Sequence, residues 1–440
     1  MHELYCWSAT GRDPVTFPYT DVLRDFHLAG KQFVATDVLT VLHNIRTSLP
    51  SDVETSAELR RLRRFLDIAL DKFDHRYDYR TYIAVDLLPL PALDQPGPDA
   101  AIALRDRDRV VSRLLGDALR FELAAADKTT DMLPRMRPDP QLVTTRTQAG
   151  IRALAPILSR LGRTGPLRGH SPASAVRLIW SAIDADLQAG ERLDLALTML
   201  PVDLLHDEYL FIRVLQAWEA TFALLALDLS AAVTALRIGN AEQAAQRLDA
   251  ASTVLRESLA LNSLIKTMQP SAFHSFRTYT EGASAIQSPR YKLVESLCRR
   301  PDEARLDSVA YRSVPDVRKR VLAGHATLDE AYHHYGSALA DDANRRITRA
   351  MAGFAAASLQ WRRAHHRLAV RYLGDQRGTG DTAGPEYLRA VSGIPVFHHL
   401  PAPARALRDG RTRRPARSHR PGAAWPPTEK RRDRPANAHA

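Results

Sequence analysis

An all-α fold is what the sequence predicts, and three observations predict it. The 440 residues are dominated by alanine, leucine and arginine, all strong helix formers. Long stretches carry apolar residues three and four positions apart, the spacing that gives a helix one buried face. Strand-like alternation is scarce. With 45% apolar and 7% aromatic residues, the composition is that of an ordinary globular protein, long enough to bury a full core.

In chain order, Phe17 to Ile45 and Ser56 to Phe73 read as amphipathic helices. Asp74 to Ala92, DHRYDYRTYIAVDLLPLPA, is rich in tyrosine and without a clear period, so it reads as strand or irregular chain. Breaks are expected at Gln95 to Pro98, Leu133 to Pro140 and Thr164 to Pro172, where proline and glycine interrupt helices. Leu210 to Leu236 is the most apolar stretch, but Arg213, Glu219 and Asp228 interrupt it. A buried bundle helix therefore fits better than a membrane span. Just before it stand Asp203, His206, Asp207 and Glu208, which could suggest a metal site. Their position favours Asp207 and Glu208 as first-turn carboxylates that complement the helix dipole. His75 and His170 lie near linkers with no second ligand at helical spacing, and each is expected in solvent.

Two later segments carry candidate chemistry. Ile347, Met351, Phe354, Ser358, Trp361, His365, Leu368 and Tyr372 alternate by four and three, one apolar helical face with a histidine in it. Arg362, Arg363, Arg367 and Arg371 fall mostly on other faces, able to reach water or an acidic partner. Gly374 stops the helix, and Gly378, Thr379 and Gly380 follow as a flexible loop with a hydroxyl at its centre. A neutral imidazole in such a groove either binds iron or another metal, or is a core histidine bonded to a carbonyl. The second segment, Pro270 to Glu295, pairs Arg277 with aromatic residues ahead of a small-residue turn, Gly282 to Ala285. A guanidinium fork between apolar walls suits the carboxylate of an amino acid.

These motifs resemble the tryptophan 2,3-dioxygenase family. The family segment F-x-x-FR-x-Y-L-x-x-A-S-G-F-Q-S-x-Q-F-R-x-x-E is matched by Phe273, Phe276, Arg277, Tyr279, Ala283, Ser284, Gln287, Ser288, Tyr291 and Glu295. Its W-x-x-x-H, with a glycine nine residues later and then GTGGSSG, is matched by Trp361, His365, Gly374 and GTGDTAG from Gly378. Its HDE-x-LFI-x-x-HQ-x-x-E is matched by HDEYLFIRVLQAWE, His206 to Glu219. The resemblance covers residues 203 to 400 and implies a helical haem pocket, with haem b bound non-covalently and dioxygen as co-substrate. It makes His365 the iron ligand with Trp361 beside it. Arg277 would hold the substrate carboxylate, Thr379 would meet its ammonium group, Phe211 and Phe273 would wall the ring, and Ser284 would sit in the substrate turn. It also implies a homotetramer.

Departures from the family pattern bear on substrate choice. Leu215 stands where the family has a histidine beside the indole nitrogen. Leucine makes no hydrogen bond, which predicts little discrimination between a free and an N-methylated indole unless a side chain from the N-terminal half takes over. Ala285, Asp381 and Thr382 also alter the turn and the loop. The expected reaction is insertion of dioxygen across indole carbons 2 and 3 of tryptophan or a relative, giving an N-formylkynurenine-type product of the kynurenine pathway. Two alternatives stay open: a different oxidation of an aromatic amino acid in a biosynthetic pathway, and a haem-binding protein without turnover.

Charge and cysteine content narrow the remaining classes. Of the net +11, residues 401 to 440 carry eleven Arg and Lys against three Asp and Glu, which leaves +3 for the other 400. That stretch also has seven prolines and is expected to be a disordered basic tail. It offers no recognition helix, so no specific nucleic acid partner is expected. Only Cys6 and Cys298 are present, which rules out a disulfide framework and points to a reducing cytoplasm. The N-terminus MHELYCWSATGRD has no basic region followed by an apolar core, so no secretory signal is expected. The domain reading is 1 to 200, mostly helical and of unassigned role; 203 to 400, the haem-binding unit; and 401 to 440, the tail.

Overall fold

The fold is described from a computed structural model, covering residues 2–9, 13–50, 56–91, 99–167, 169–283, 285–374, 376, 378 and 382–400. It is all-α, and no strand occurs among these residues beyond one isolated bridge between Arg135 and Leu205. The helices that position the site are α1 (Tyr19–Ala29), α2 (Thr36–Ser48), α3 (Ala57–Ala69), α4 (Ala100–Ala126), α5 (Pro140–Arg160), α6 (His206–Arg237), α7 (Ala241–Glu257), α8 (Pro270–Thr280), α9 (Pro289–Cys298), α10 (Asp341–Leu373) and α11 (Pro385–Ser392).

Helix starts follow from local chemistry. Asp99, Asp139, Asn240 and Ser288 each accept a hydrogen bond from a first-turn amide of α4, α5, α7 and α9, meeting donors that the helix itself leaves unpaired. Pro140, Pro270 and Pro289 open α5, α8 and α9, where the missing N–H costs nothing. Gly150 on α5 lets α4 approach closely. A Cβ there would lie 2.5 Å from the Leu119 side chain.

The centre is α6, buried on nearly every face. Among the described residues it is the one helix long and apolar enough to cross a membrane, yet most of that stretch is covered by protein, as expected for a bundle helix. Its charges are met inside the bundle. Arg213 donates to Asp117 of α4 at 2.9 Å, and Arg146 of α5 bridges Glu122 and Asp207 at 2.9 and 2.7 Å. The first-turn carboxylates are thus fully buried and partnered: Asp207 by Arg146, Glu208 by the amides of Val202 and Asp203. Helices α4 and α9 also pack on α6, while α10 packs along α7. α4, α5, α6 and α10 share one hydrophobic core.

Leu4, Trp7 and buried apolar residues from Phe17 to Ile45 and from Leu62 to Leu70 form a second core with Leu197 and Leu200. The stretch Phe17 to Ile45 is two helices, because Gly30, at φ +81°, closes α1 and turns the chain into a 3-10 turn before α2. Of Asp74 to Ala92, the described residues are neither strand nor wholly irregular: Asp78 caps a helical turn at Tyr79–Tyr82 and a 3-10 turn follows at Val85–Leu87. This segment links the cores, with Tyr79 and Tyr82 in the first and Ala84 and Leu87 in the second. His75 is exposed and so is His170. The tail at 401–440 and the break at 95–98 lie outside the described residues.

Candidate functional site

A cleft opens between α6, α8 and α10, enclosing about 1020 Å³ of free space with its mouth included. A second chamber of about 650 Å³ adjoins it. Leu215, Trp218, Tyr79 and His365 line both. His365 sits one turn beyond Trp361 on α10, their rings 5.2 Å apart. Among the described residues no hydrogen-bond partner meets its ring. Burial, with His366 and Lys292 adding to it, pushes its pKa down to about 4. The imidazole is therefore neutral at physiological pH, the form that ligates a metal.

α6 gives Phe211, Leu215 and Trp218 to the cleft wall, and Glu208 and Glu219 share the helix face of Phe211 and Leu215, being spaced three and four residues apart. Phe211 packs against Phe276 and Phe273 at 5.3 and 5.8 Å, and Phe273 against Tyr372 at 5.2 Å. These rings make the apolar body of the cleft. Arg277 of α8 lines the same space and is half-buried. It donates to the Gln376 side-chain oxygen at 3.4 Å. Burial alone lowers its pKa, which leaves it a desolvated cation facing an apolar cleft. Gly378 and Thr382 close one side. Ser284, Thr379 and Asp381 fall outside the described residues.

Tyr79 and Tyr82 are cleft residues that the sequence reading did not single out. Each hydroxyl donates to a buried carboxylate of α6, Tyr79 to Glu219 and Tyr82 to Glu208, both at 3.2 Å. The segment seats on the small-residue turn after α8. Gln287 accepts the Tyr79 N–H at 3.0 Å, and a Cβ on Gly282 would come within 3.0 Å of the Tyr77 carbonyl. The signal was present in two places: Asp78 as a cap ahead of YRTY, and two carboxylates in an apolar helix, each of which needs a donor once buried.

Beyond His365 the second chamber is walled by Lys292, Arg305, Arg362 and Tyr387. Glu295 pairs with Lys292 and Arg305, both at 2.8 Å. Arg362 departs from its expected outward position. It is buried, donating to the Ile394 carbonyl at 2.7 Å and the Tyr291 hydroxyl at 3.3 Å. The carbonyls of the segment after α11 draw it inward, because a buried acceptor needs a donor.

Among the described residues no three His, Cys, Asp or Glu side chains gather to hold a bare metal ion. A lone histidine facing a large apolar cleft fits iron in a porphyrin, whose own four nitrogens would supply the ligands that the protein does not. The residues present therefore fit a haem, with His365 as its protein ligand and Trp361 beside it.

Known proteins resemble part of this chain. Residues 192–329 match the family model described as tryptophan 2,3-dioxygenase, a match that covers α6, α8 and α9 and ends before His365. The tryptophan 2,3-dioxygenase of Anaeromyxobacter sp. (strain K) is 28% identical over 233 residues, covering 46% of this chain and 88% of the relative. That of Xanthomonas campestris pv. campestris (strain B100) is 26% identical over 230 residues, covering 44% and 77%. Over these residues, which supply the arginine and the phenylalanine walls of the cleft, the chain is similar to the tryptophan 2,3-dioxygenases and a divergent relative of them.

Proposed function

We propose that the protein is a haem-dependent oxygenase that inserts dioxygen across carbons 2 and 3 of the indole of tryptophan or a related amino acid. The observation that carries this reading is one cleft walled by a neutral His365, whose ring meets no hydrogen-bond partner among the described residues, and by a desolvated Arg277. His365 would hold the haem, which would supply the dioxygen chemistry. The chain's own work is to orient and to dry the site. Arg277 takes the substrate carboxylate through two parallel hydrogen bonds. Phe211, Phe273 and Phe276 clasp the ring and exclude water.

Leu215, with Ala285 at the turn, supports a second outcome in which the ring is oxidised without being opened. Product mass separates the two. The haem-loaded, reduced protein is incubated under air with tryptophan and ring-substituted analogues. A product heavier by two oxygen atoms supports dioxygen insertion, and a product heavier by one oxygen replaces it with the alternative oxidation. Haem bound with no oxidised product would leave only a binding role.

A further inference from the structure

Leucine at position 215 removes the imidazole that would meet a ring nitrogen, but it leaves a polar group close by. Tyr79 borders both chambers, as Leu215 does. Its hydroxyl donates to Glu219, which lies four residues beyond Leu215 on the same face of α6, a rise of about 6 Å. Tyr82 is held at the other end of the stripe by Glu208, seven residues before Leu215 and so about 10 Å away along the axis. Along α6, the residue that holds Tyr79 is thus closer to position 215 than the one that holds Tyr82.

The proton inventory fixes what Tyr79 can offer. A phenol has one donor and two acceptor lone pairs. Glu219 is fully buried and takes the single proton, so the phenol oxygen is left as an acceptor. An acceptor whose own proton is committed to a carboxylate is polarised and stronger than a free hydroxyl. The backbone holds the group in place. The Tyr79 N–H is bound by Gln287, the Asp78 side chain accepts from the Thr81 amide, and Tyr79 itself is 3% exposed.

We propose that Tyr79 is a specificity residue of this site: its oxygen accepts a hydrogen bond from the ring N–H of the substrate, in place of the family's imidazole, with Glu219 as the positioning residue. This rests on the reading of the substrate as an indole amino acid. It reverses the expectation drawn from Leu215 alone, since a buried acceptor left unpaired by an analogue without N–H penalises that analogue.

The test uses the full-length, haem-loaded protein with three compounds: tryptophan, 1-methyltryptophan and the benzofuran isostere of tryptophan, which replaces N–H by oxygen without added bulk. Calorimetric binding and kcat/KM are both measured. The native protein is expected to favour tryptophan over the benzofuran about tenfold, the worth of one net hydrogen bond. Tyr79→Phe is expected to bring that ratio to about one by weakening tryptophan alone, with the haem spectrum retained. Glu219→Gln, which still accepts the Tyr79 proton, is expected to keep the preference. Tyr82→Phe is expected to leave the ratio unchanged. A native protein that treats tryptophan and the benzofuran alike overturns the proposal, as does a preference that survives in Tyr79→Phe. If haem is bound but none of the three compounds binds, the indole reading fails, and this inference with it.

Discussion

His365 and His366 are adjacent in sequence and opposite in consequence. Only His365 lines the cleft and its neighbouring chamber, because one residue turns a helix by about 100°. His365→Ala is expected to abolish stable haem incorporation, while His366→Ala leaves the absorption spectrum nearly unchanged. Equal haem loss in both would remove His365 as the ligand. Arg277 bears on substrate in the same way. Arg277→Ala is expected to weaken binding of the amino acid by about 2–5 kcal/mol, the usual cost of breaking a desolvated charge pair. Arg277→Lys should recover only part of this, since a point charge cannot reproduce the fork. Haem content should stay constant in both, and unaltered affinity in Arg277→Ala would mean that the carboxylate is held elsewhere.

At the scale of elements, the cluster joining α9 to the short helix at Glu303–Leu306 brings a pH dependence close to the site. Lys292 and Arg305 both face Glu295, and all three are nearly fully buried. Burial alone would raise the Glu295 carboxyl, but Arg305 and Lys292 outweigh it and hold the group well below its usual value. Burial and Arg305 push Lys292 down to about 8, so it stays charged at neutral pH. A carboxyl whose pKa is lower in the folded state contributes stability that is fully present above the unfolded value of 4.5 and is lost as pH falls below it. Glu295→Gln is expected to cost about 3–5 kcal/mol, because it strands two buried cations. It should also flatten the acid limb of the denaturation midpoint plotted against pH. An acid limb as steep as the native one would place the titrating group elsewhere. How much of this was legible in the sequence differs from element to element. The stripe of α10 and the burial of α6 followed from spacing, because a periodic apolar face has one efficient way to leave water. The inward turn of Arg362 and the partners of Asp207 and Glu208 did not, since they depend on carbonyls and cations brought from distant parts of the chain. Tyr79 and Tyr82 stayed hidden for the same reason: their roles are set by Glu219 and Glu208, 140 and 126 residues away.

For the molecule as a whole, the N-terminal layer is coupled to the cleft through a short chain of contacts that begins at Gly30. Its backbone stands at φ +81°, and a Cβ there would come within 2.9 Å of both the Asp203 Cα and the Val202 carbonyl. That close approach lets Lys31 and Gln32 donate their amides to Pro201 and Val202 at 2.8 and 3.1 Å. The Lys31 ammonium meanwhile pairs with Asp71 at 2.8 Å, both side chains fully buried. The amides of Val202 and Asp203 bind Glu208, and Glu208 holds the Tyr82 hydroxyl at the cleft. Gly30→Ala sets a methyl against backbone atoms on a left-handed residue, so both the conformation and the contact resist it. The expected result is local: faster amide exchange across α1, α2 and Tyr79–Leu88, and weaker binding of the amino acid substrate. α10 should keep its protection and its haem, because its packing against α7 does not pass through this layer. Exchange mass spectrometry on the native and Gly30→Ala proteins checks this. Uniform loss of protection through α10 would show that the two cores unfold as one unit and that no separate coupling runs from Gly30 to the site.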